Sequence, residues 1–361
     1  MPKKHSRISG VISILFFLFT AIVLLFEGNL CKVAVVQGIS LCLQSVIPCL
    51  FPFLVLTRWV IGTDIPDRIS FRLVRLIRSG FHCSENGTIC IILGLIGGYP
   101  IGAQTVALTY KEGRITRNEA EYLLSFCNNA SPAFFFGILG SIFGSIQTSM
   151  ILYAIHIMSA ILTGLFLRPK TKPASHQKTE AHQNTKSTGG IIPASIKSLV
   201  IICGYVLLFQ IIVRIADHYL ELPKIAAVIV TGILEITSGS LSMAQLLDAP
   251  RICYCLASGF FSFGGICVYL QARTFMQEAG LEGKLYLLGK TLQAMIAMIM
   301  TSLIVMLFPT LLQTVKETLY LPNHKGLLST MLWMVGIYLL LFVIWCLILR
   351  KKTGKKNIYD V

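Results

Sequence analysis

Glu235 is the only acid in the run from Ile225 to Leu247, and Thr237, Ser238, Gly239 and Ser240 follow it closely. A carboxylate in so apolar a segment costs a few kcal/mol on insertion scales. It points to a coupling ion, a proton site or a buried Lys or Arg partner, unless the residue sits in a loop just outside the bilayer. Asn128 and Asn129 form a second constellation, inside Ser125-Phe126-Cys127-Asn128-Asn129-Ala130-Ser131-Pro132 and ahead of Phe134, Phe135 and Phe136. Two amides and a hydroxyl in an apolar run must find partners in protein, water or ligand, or else serve as glue between helices. Gly97, Gly98, Tyr99, Pro100 and Gly102 form a third, and Ser258 to Cys267, with Ser262, Gly264 and Gly265, a fourth. Glycine permits positive φ or close approach and proline removes a donor, so these runs break a continuous helix or kink a tightly packed one. The freed backbone groups must then face protein or a water-filled space. Gln271, Lys290 and Gln293 add polar points; for Lys290, near its segment's start, snorkelling and function are both open.

Other chemistries lack their residues. There is no HExxH, P-loop or pair of intramembrane carboxylates, and His156, the only histidine inside a span, suits packing or a helix-helix hydrogen bond. The 11 cysteines are scattered through apolar runs and read as small hydrophobes. Cys253-Tyr254-Cys255 is too little for zinc. An enzyme is therefore not expected, nor a metal or other cofactor.

The elements that must position these residues belong in lipid. Of 361 residues 55% are hydrophobic and 13% charged, with mean hydropathy +0.74, and the apolar residues come in long blocks. Ten blocks can be read, five on each side of a polar stretch: Ile8 to Phe26, Val33 to Leu56, Thr88 to Tyr110, Ala120 to Phe143 and Thr148 to Leu167, then Ser195 to Val213, Ile225 to Leu247, Ile252 to Gln271, Leu285 to Phe308 and Leu327 to Leu349. The first spans about 28 Å as a helix and reads as retained, not as a cleaved signal. The net charge of +15 marks cytoplasmic loops and headgroup contacts, not nucleic-acid binding. Basic clusters at the N-terminus, in 168–193 and in the tail place all three in the cytoplasm, so each half crosses an even number of times. One segment per half then enters and leaves on the same side. Arg68, Arg72, Arg75 and Arg78 share one face of a helix whose other face is apolar, as expected at the headgroup interface.

The halves echo one another: Gly97-Gly98, a charged joint and Tyr122-Leu123-Leu124 resemble Gly264-Gly265, a charged joint and Tyr286-Leu287-Leu288. With broken segments in both, this is the pattern of transporters built from internal repeats. The fold class expected is an all-α polytopic membrane bundle of two internally similar halves with broken or re-entrant helices. Its parts are an N-terminal transmembrane helix (1–30), a first membrane half (31–167), a disordered basic linker (168–193), a second membrane half (194–350) and a basic tail (351–361).

The stretch GGYPIGAQ...YKEGRITRNEAEYLLSFCNNASPAFFFGILG, Gly97 to Gly140, resembles the signature of the YlbJ-type sporulation integral membrane proteins, within the group carrying the nucleoside recognition or Gate domain. ILEITSGS (Ile233 to Ser240) and SFGGICVYLQ (Ser262 to Gln271) are similar to that family's second-half motifs. The resemblance implies a multi-pass protein of endospore formers, in the mother-cell-derived membrane around the forespore, moving dipicolinic acid toward the spore. The domain label does not itself imply nucleoside binding.

Three functions follow in order: a transporter or gated pathway for a small anionic metabolite, a non-transporting component that organises a sporulation partner complex, and a nucleoside transporter. The partners expected are the lipid bilayer, a small anionic substrate, and a second copy or a sporulation membrane protein. Gly97, Gly98, Tyr99, Pro100, Gly102, Asn128, Asn129, Ser131, Pro132, Ser238, Gly239, Ser262, Gly264, Gly265 and Gln271 are the candidate substrate residues, converging on one central cavity. Glu235 serves coupling; beside an anion its carboxylate repels unless protonated or paired.

Overall fold

The computed structural model describes residues 25–62, 72–170 and 190–312, which are helical and contain no strand. The proposed first span from Ile8, the last segment Leu327 to Leu349, most of the linker and the tail lie outside these residues. Helix α1 (Gly28–Leu41) runs through a π turn (Cys42–Val46) into α2 (Ile47–Ile61), a stretch long and apolar enough to cross a bilayer. The π turn comes just before Pro48 and Pro52, prolines that an unmodified α-helical ladder accommodates poorly. Helix α3 (Arg72–Phe81) leaves Arg75 and Arg78 exposed, with Leu76 exposed too, while Arg78 pairs with Glu85 at 2.9 Å.

Next come two short antiparallel helices, α4 (Glu85–Gly97) and α5 (Ile101–Lys111). Cys90 of the first meets Thr109 of the second at 3.4 Å, one contact on each arm at a similar distance from the turn. At roughly 20 and 16 Å neither arm crosses a hydrocarbon core of about 30 Å. Helix α6 (Arg117–Leu124) ends at an unwound stretch, and α7 (Pro132–Phe143) resumes after it. Helix α8 (Ile146–Phe166) closes the first half. Ser84, Thr116, Ser131 and Ser145 cap the N-termini of α4, α6, α7 and α8, each accepting a backbone N–H. Such a cap contributes about 1 kcal/mol.

The second half also opens with a long helix followed by a hairpin, without an equivalent of α3 between them. A long helix, α9 (Ile191–Tyr219), is followed by α10 (Lys224–Leu234) and α11 (Ile236–Ser242) with its 3-10 continuation Met243–Leu246. These two double back on each other so tightly that a Cβ on Gly239 would lie 2.1 Å from the Gly232 Cα. Helices α12 (Pro250–Phe263) and α13 (Gly265–Glu278) are separated only by Gly264, at φ +88°, and α14 (Tyr286–Leu307) ends the described chain. The glycine pairs matched in the sequence thus occupy different places. Gly97-Gly98 ends one arm of the α4–α5 hairpin, whereas Gly264-Gly265 interrupts a span; the counterpart of the first hairpin turn is the bend at Glu235.

Five described helical stretches are long and apolar enough to span a membrane: Gly28–Ile61, Ile146–Phe166, Ile191–Tyr219, Pro250–Glu278 and Tyr286–Leu307. The bundle is an all-α polytopic membrane protein. Leu43, Met150, Val200 and Leu303 are exposed on its outside, as lipid-facing residues should be. Inside, Phe135, Phe143, Tyr254, Phe260 and Phe261 pack one core and Leu54, Ile101, Leu123 and Tyr286 another. The Glu121 carboxylate of α6 ties the halves at one end, accepting the backbone N–H groups of Glu282, Gly283 and Lys284 at 2.9 to 3.1 Å.

Candidate functional site

The unwound stretch between α6 and α7 would leave several backbone groups unsatisfied, and the side chains around it take them up. Asn129 Nδ2 donates to the Phe126 carbonyl at 2.7 Å, and the Ala130 N–H donates to His156 Nε2 at 3.1 Å. Lys290 Nζ donates to the Asn128 carbonyl at 2.8 Å and to Gln293 Oε1 at 2.6 Å, and Gln293 Nε2 donates to Asn129 Oδ1 at 2.9 Å. Asn128 Oδ1 accepts from the Ala103 N–H of α5 at 3.2 Å, while its Nδ2 donates to the Tyr286 hydroxyl at 2.7 Å. His156 Nδ1 meets Ser262 Oγ at 3.1 Å. Asn128, Asn129, His156, Ser262, Lys290 and Gln293 are all fully buried.

Lys290 therefore does not snorkel to a surface. It lies at the centre of the network, and the signal was its i,i+3 pairing with Gln293 in an otherwise apolar helix.

Glycine brings the surrounding backbones close enough to close this network. A Cβ on Gly94 or Gly102 would sit 2.1 or 2.0 Å from the Cys127 carbonyl oxygen, and one on Gly289 would sit 2.0 Å from that of Ser125. Gly97 ends α4 against Ile101. Gly98, at φ +84°, presses on Ser131, where a Cβ would come within 2.7 Å of the serine Cβ. Pro100 precedes α5 and Pro132 is the first residue of α7.

Beside the network lies a partly open cleft with about 50 Å³ of usable space, room for a few waters or a small polar group. Its polar lining comes from both halves: Tyr99 from the first hairpin turn, Ser131 from the cap of α7, Glu235 and Thr237 from the second hairpin turn, and Gln271 and Cys267 from α13. Ser45 and Cys49 of the α1–α2 stretch contribute as well, and Leu50, Phe134, Ile202, Val206 and Val268 make the walls apolar. Ser45, Cys49, Ile202 and Val206 carried no sequence signal, since nothing in a uniform apolar helix says which side meets a cavity.

Glu235 caps α11: its two oxygens accept the N–H groups of Thr237 at 2.9 Å and Ser238 at 2.7 Å, and Gln210 Nε2 lies 3.3 Å from Oε2 and 2.9 Å from Ser238 Oγ. The carboxylate is thus already engaged with the helix end that would otherwise attract an anion. Tyr99 is the reverse case. It is 7% exposed, its ring packs edge-on against Phe134, and its hydroxyl has no hydrogen-bond partner among the described residues. A buried hydroxyl without a partner is uncommon in a native structure.

The candidate residues therefore divide. Tyr99, Ser131, Glu235 and Gln271 line the cleft. Asn128, Asn129 and Ser262 belong to the adjoining packed network, and Ser238 faces Gln210. Gly97, Gly98, Pro100, Gly102, Pro132, Gly239, Gly264 and Gly265 shape the backbone around both; Gly265 faces the last carbonyls of α10 at 3.3 to 3.4 Å from where its Cβ would be. The single convergence foreseen from sequence is two adjoining places. Among the described residues no group of His, Cys, Asp and Glu is placed to hold a metal ion, and Cys253 Sγ instead faces the Met243 and Leu246 carbonyls.

Compared with known proteins, the chain is 24% identical over 340 aligned positions to the sporulation integral membrane protein YlbJ of Bacillus subtilis (strain 168), the alignment covering 83% of each chain. That similarity supports assignment to the YlbJ-type family. No family model matches the sequence, and no solved structure matches it.

Proposed function

We propose that the protein is a transporter or gated pathway for a small anionic metabolite in endospore formation, dipicolinate being the solute that the family resemblance implies. The observation that carries this is the cleft, lined by both hairpin turns, by the cap that restarts the first broken segment and by the helix after the second break, with a Tyr99 hydroxyl unpartnered among the described residues. The recurrence of a long helix, a hairpin, an interrupted segment and a further long helix in the two halves supports a repeat architecture, in which the solute site lies between repeats. If each hairpin enters and leaves on one side and each interrupted segment crosses once, the described parts of each half cross three times. The segments from Ile8 and from Leu327 would make each number even, as the basic clusters require.

The cleft also constrains the solute. Among the described residues its lining holds the Glu235 carboxylate and no Lys, Arg or His, so a free dianion is repelled while a protonated form, or one accompanied by a cation, is accommodated. Uptake of labelled dipicolinate into proteoliposomes containing the full chain should accordingly be saturable and accelerated by an inward proton or cation gradient. Glu235→Gln should abolish the dependence on the gradient, and Tyr99→Phe should weaken uptake while leaving the fold intact, since that hydroxyl has no partner to lose. Absence of uptake of dipicolinate, and of a nucleoside tested beside it, by well-folded protein would refute transport and leave the partner-organising role.

A further inference from the structure

The cleft offers an anion no counter-charge, yet a guanidinium lies further along the same helical seam. Helices α2 and α9 wall the cleft through Leu50 on one side and Ile202 on the other. Beyond these, Arg58 Nη2 of α2 donates to Ser198 Oγ of α9 at 2.8 Å. Counting four to eight residues along either helix places this contact about 6 to 12 Å from the cleft wall. Ser198 also accepts from Gln104 Nε2 of α5 at 2.6 Å and donates to the Ala194 carbonyl at 3.1 Å.

Three buried polar atoms in this stretch have no partner among the described residues: Arg58 Nε and Gln104 Oε1, on the two side chains that touch Ser198, and Ser195 Oγ, one turn along α9 from it. Gln104 is 2% exposed and Ser195 fully buried, and Ser195 shares the face of Ser198 at i,i+3. Among the described residues no carboxylate lies within ion-pair distance of Arg58; Glu278 of the neighbouring α13 is paired with Lys197 at 3.4 Å. More than nine in ten buried polar groups have partners, so three atoms unpartnered among the described residues, close to one serine and beside a guanidinium, mark a polar spot able to receive a ligand.

We propose that Arg58, Gln104, Ser195 and Ser198 form a subsite for the carboxylate of a small organic anion. The planar guanidinium fork matches a carboxylate, with Nε–H donating to one oxygen. The Ser195 hydroxyl donates to the other. Exchanging O and N of the Gln104 amide turns its NH₂ toward the anion and its oxygen toward Ser198, whose single hydroxyl proton then passes from the Ala194 carbonyl to Gln104. The subsite supplies the positive charge that the cleft lacks and to that extent rests on the transport proposal. Binding there is measurable without transport, so the two can fail separately.

The test is calorimetric titration of the full chain in detergent with benzoate and with its neutral isostere benzamide. Benzoate should bind and benzamide should not compete with it. Arg58→Gln should weaken benzoate by at least about tenfold, as expected when hydrogen bonds from a half-buried guanidinium to a charged group are lost, while Arg58→Lys should retain part of the affinity. Ser195→Ala removes a hydroxyl with no partner, so it should leave thermal unfolding unchanged and still weaken benzoate. Equal binding by wild type and Arg58→Gln, no preference for benzoate over benzamide, or no benzoate binding at all would show that the orphaned atoms hold only water and would overturn the proposal. Benzoate binding at Arg58 without solute uptake in proteoliposomes would sustain the subsite and refute transport.

Discussion

Gly102→Ala should leave little folded protein to purify. The new Cβ would lie 2.0 Å from the Cys127 carbonyl oxygen and 2.8 Å from the Asn128 Cα, distances that no rotamer change relieves because both neighbours are backbone. Over-packing a filled interior costs about 1 to 3 kcal/mol, and more where the backbone itself must shift. Here it must, so a loss of about 3 kcal/mol or more is expected, with Ala103 N–H pulled away from Asn128 Oδ1. Gly137→Ala is the matched control, since a Cβ there meets nothing within 4 Å. Size-exclusion profiles and thermal unfolding in detergent check the pair; equal behaviour would mean that α5 and the unwound stretch are not in close contact.

The second large effect is expected at Lys290. Lys290→Met keeps most of the side-chain volume but removes both donated hydrogen bonds, leaving the Asn128 carbonyl and Gln293 Oε1 buried without partners. An unmet buried group costs about 1 to 3 kcal/mol. Relief of the burial cost of the lysine offsets part of this, so a net loss of about 2 to 4 kcal/mol is expected. Adding Gln293→Leu removes one of the stranded acceptors together with the donor to Asn129, so the double variant should lose less than the sum of the two single losses. Additive losses, or a Lys290→Met protein as stable as wild type, would show that the lysine is not the donor that holds the interruption together.

How legible this was depended on what each residue announces. Apolar block lengths located every described span, because hydrocarbon solvates a helix only when the run is long and uncharged. Gly94 to Gly102 and Ser125 to Pro132 announced interruptions, because glycine, proline and adjacent amides are unfavourable in a continuous helix. What the interruptions do in space was not legible. The first hairpin turns on Gly98 at positive φ, while the second turns on a carboxylate that caps the next helix, so matching glycine pairs across the halves set a hairpin turn against a broken span. Lys290 looked like a snorkelling residue because its distance from the segment end is visible in sequence, whereas the buried carbonyl it faces, more than 160 positions away, is not. Arg58 and Gln104 announced nothing, as their partner Ser198 lies on a helix of the other half.

The central claim is that the cleft between the two hairpin turns receives the solute. Two partly exposed cysteines allow a direct test within the native chain: Cys49 lines the cleft, while Cys203 does not. N-ethylmaleimide labelling of each, followed peptide by peptide in the mass spectrometer, should be slowed by dipicolinate at Cys49 and unaffected at Cys203. Labelling of Cys49 at the same rate with and without saturating solute, or slowing of both residues alike, would contradict the account.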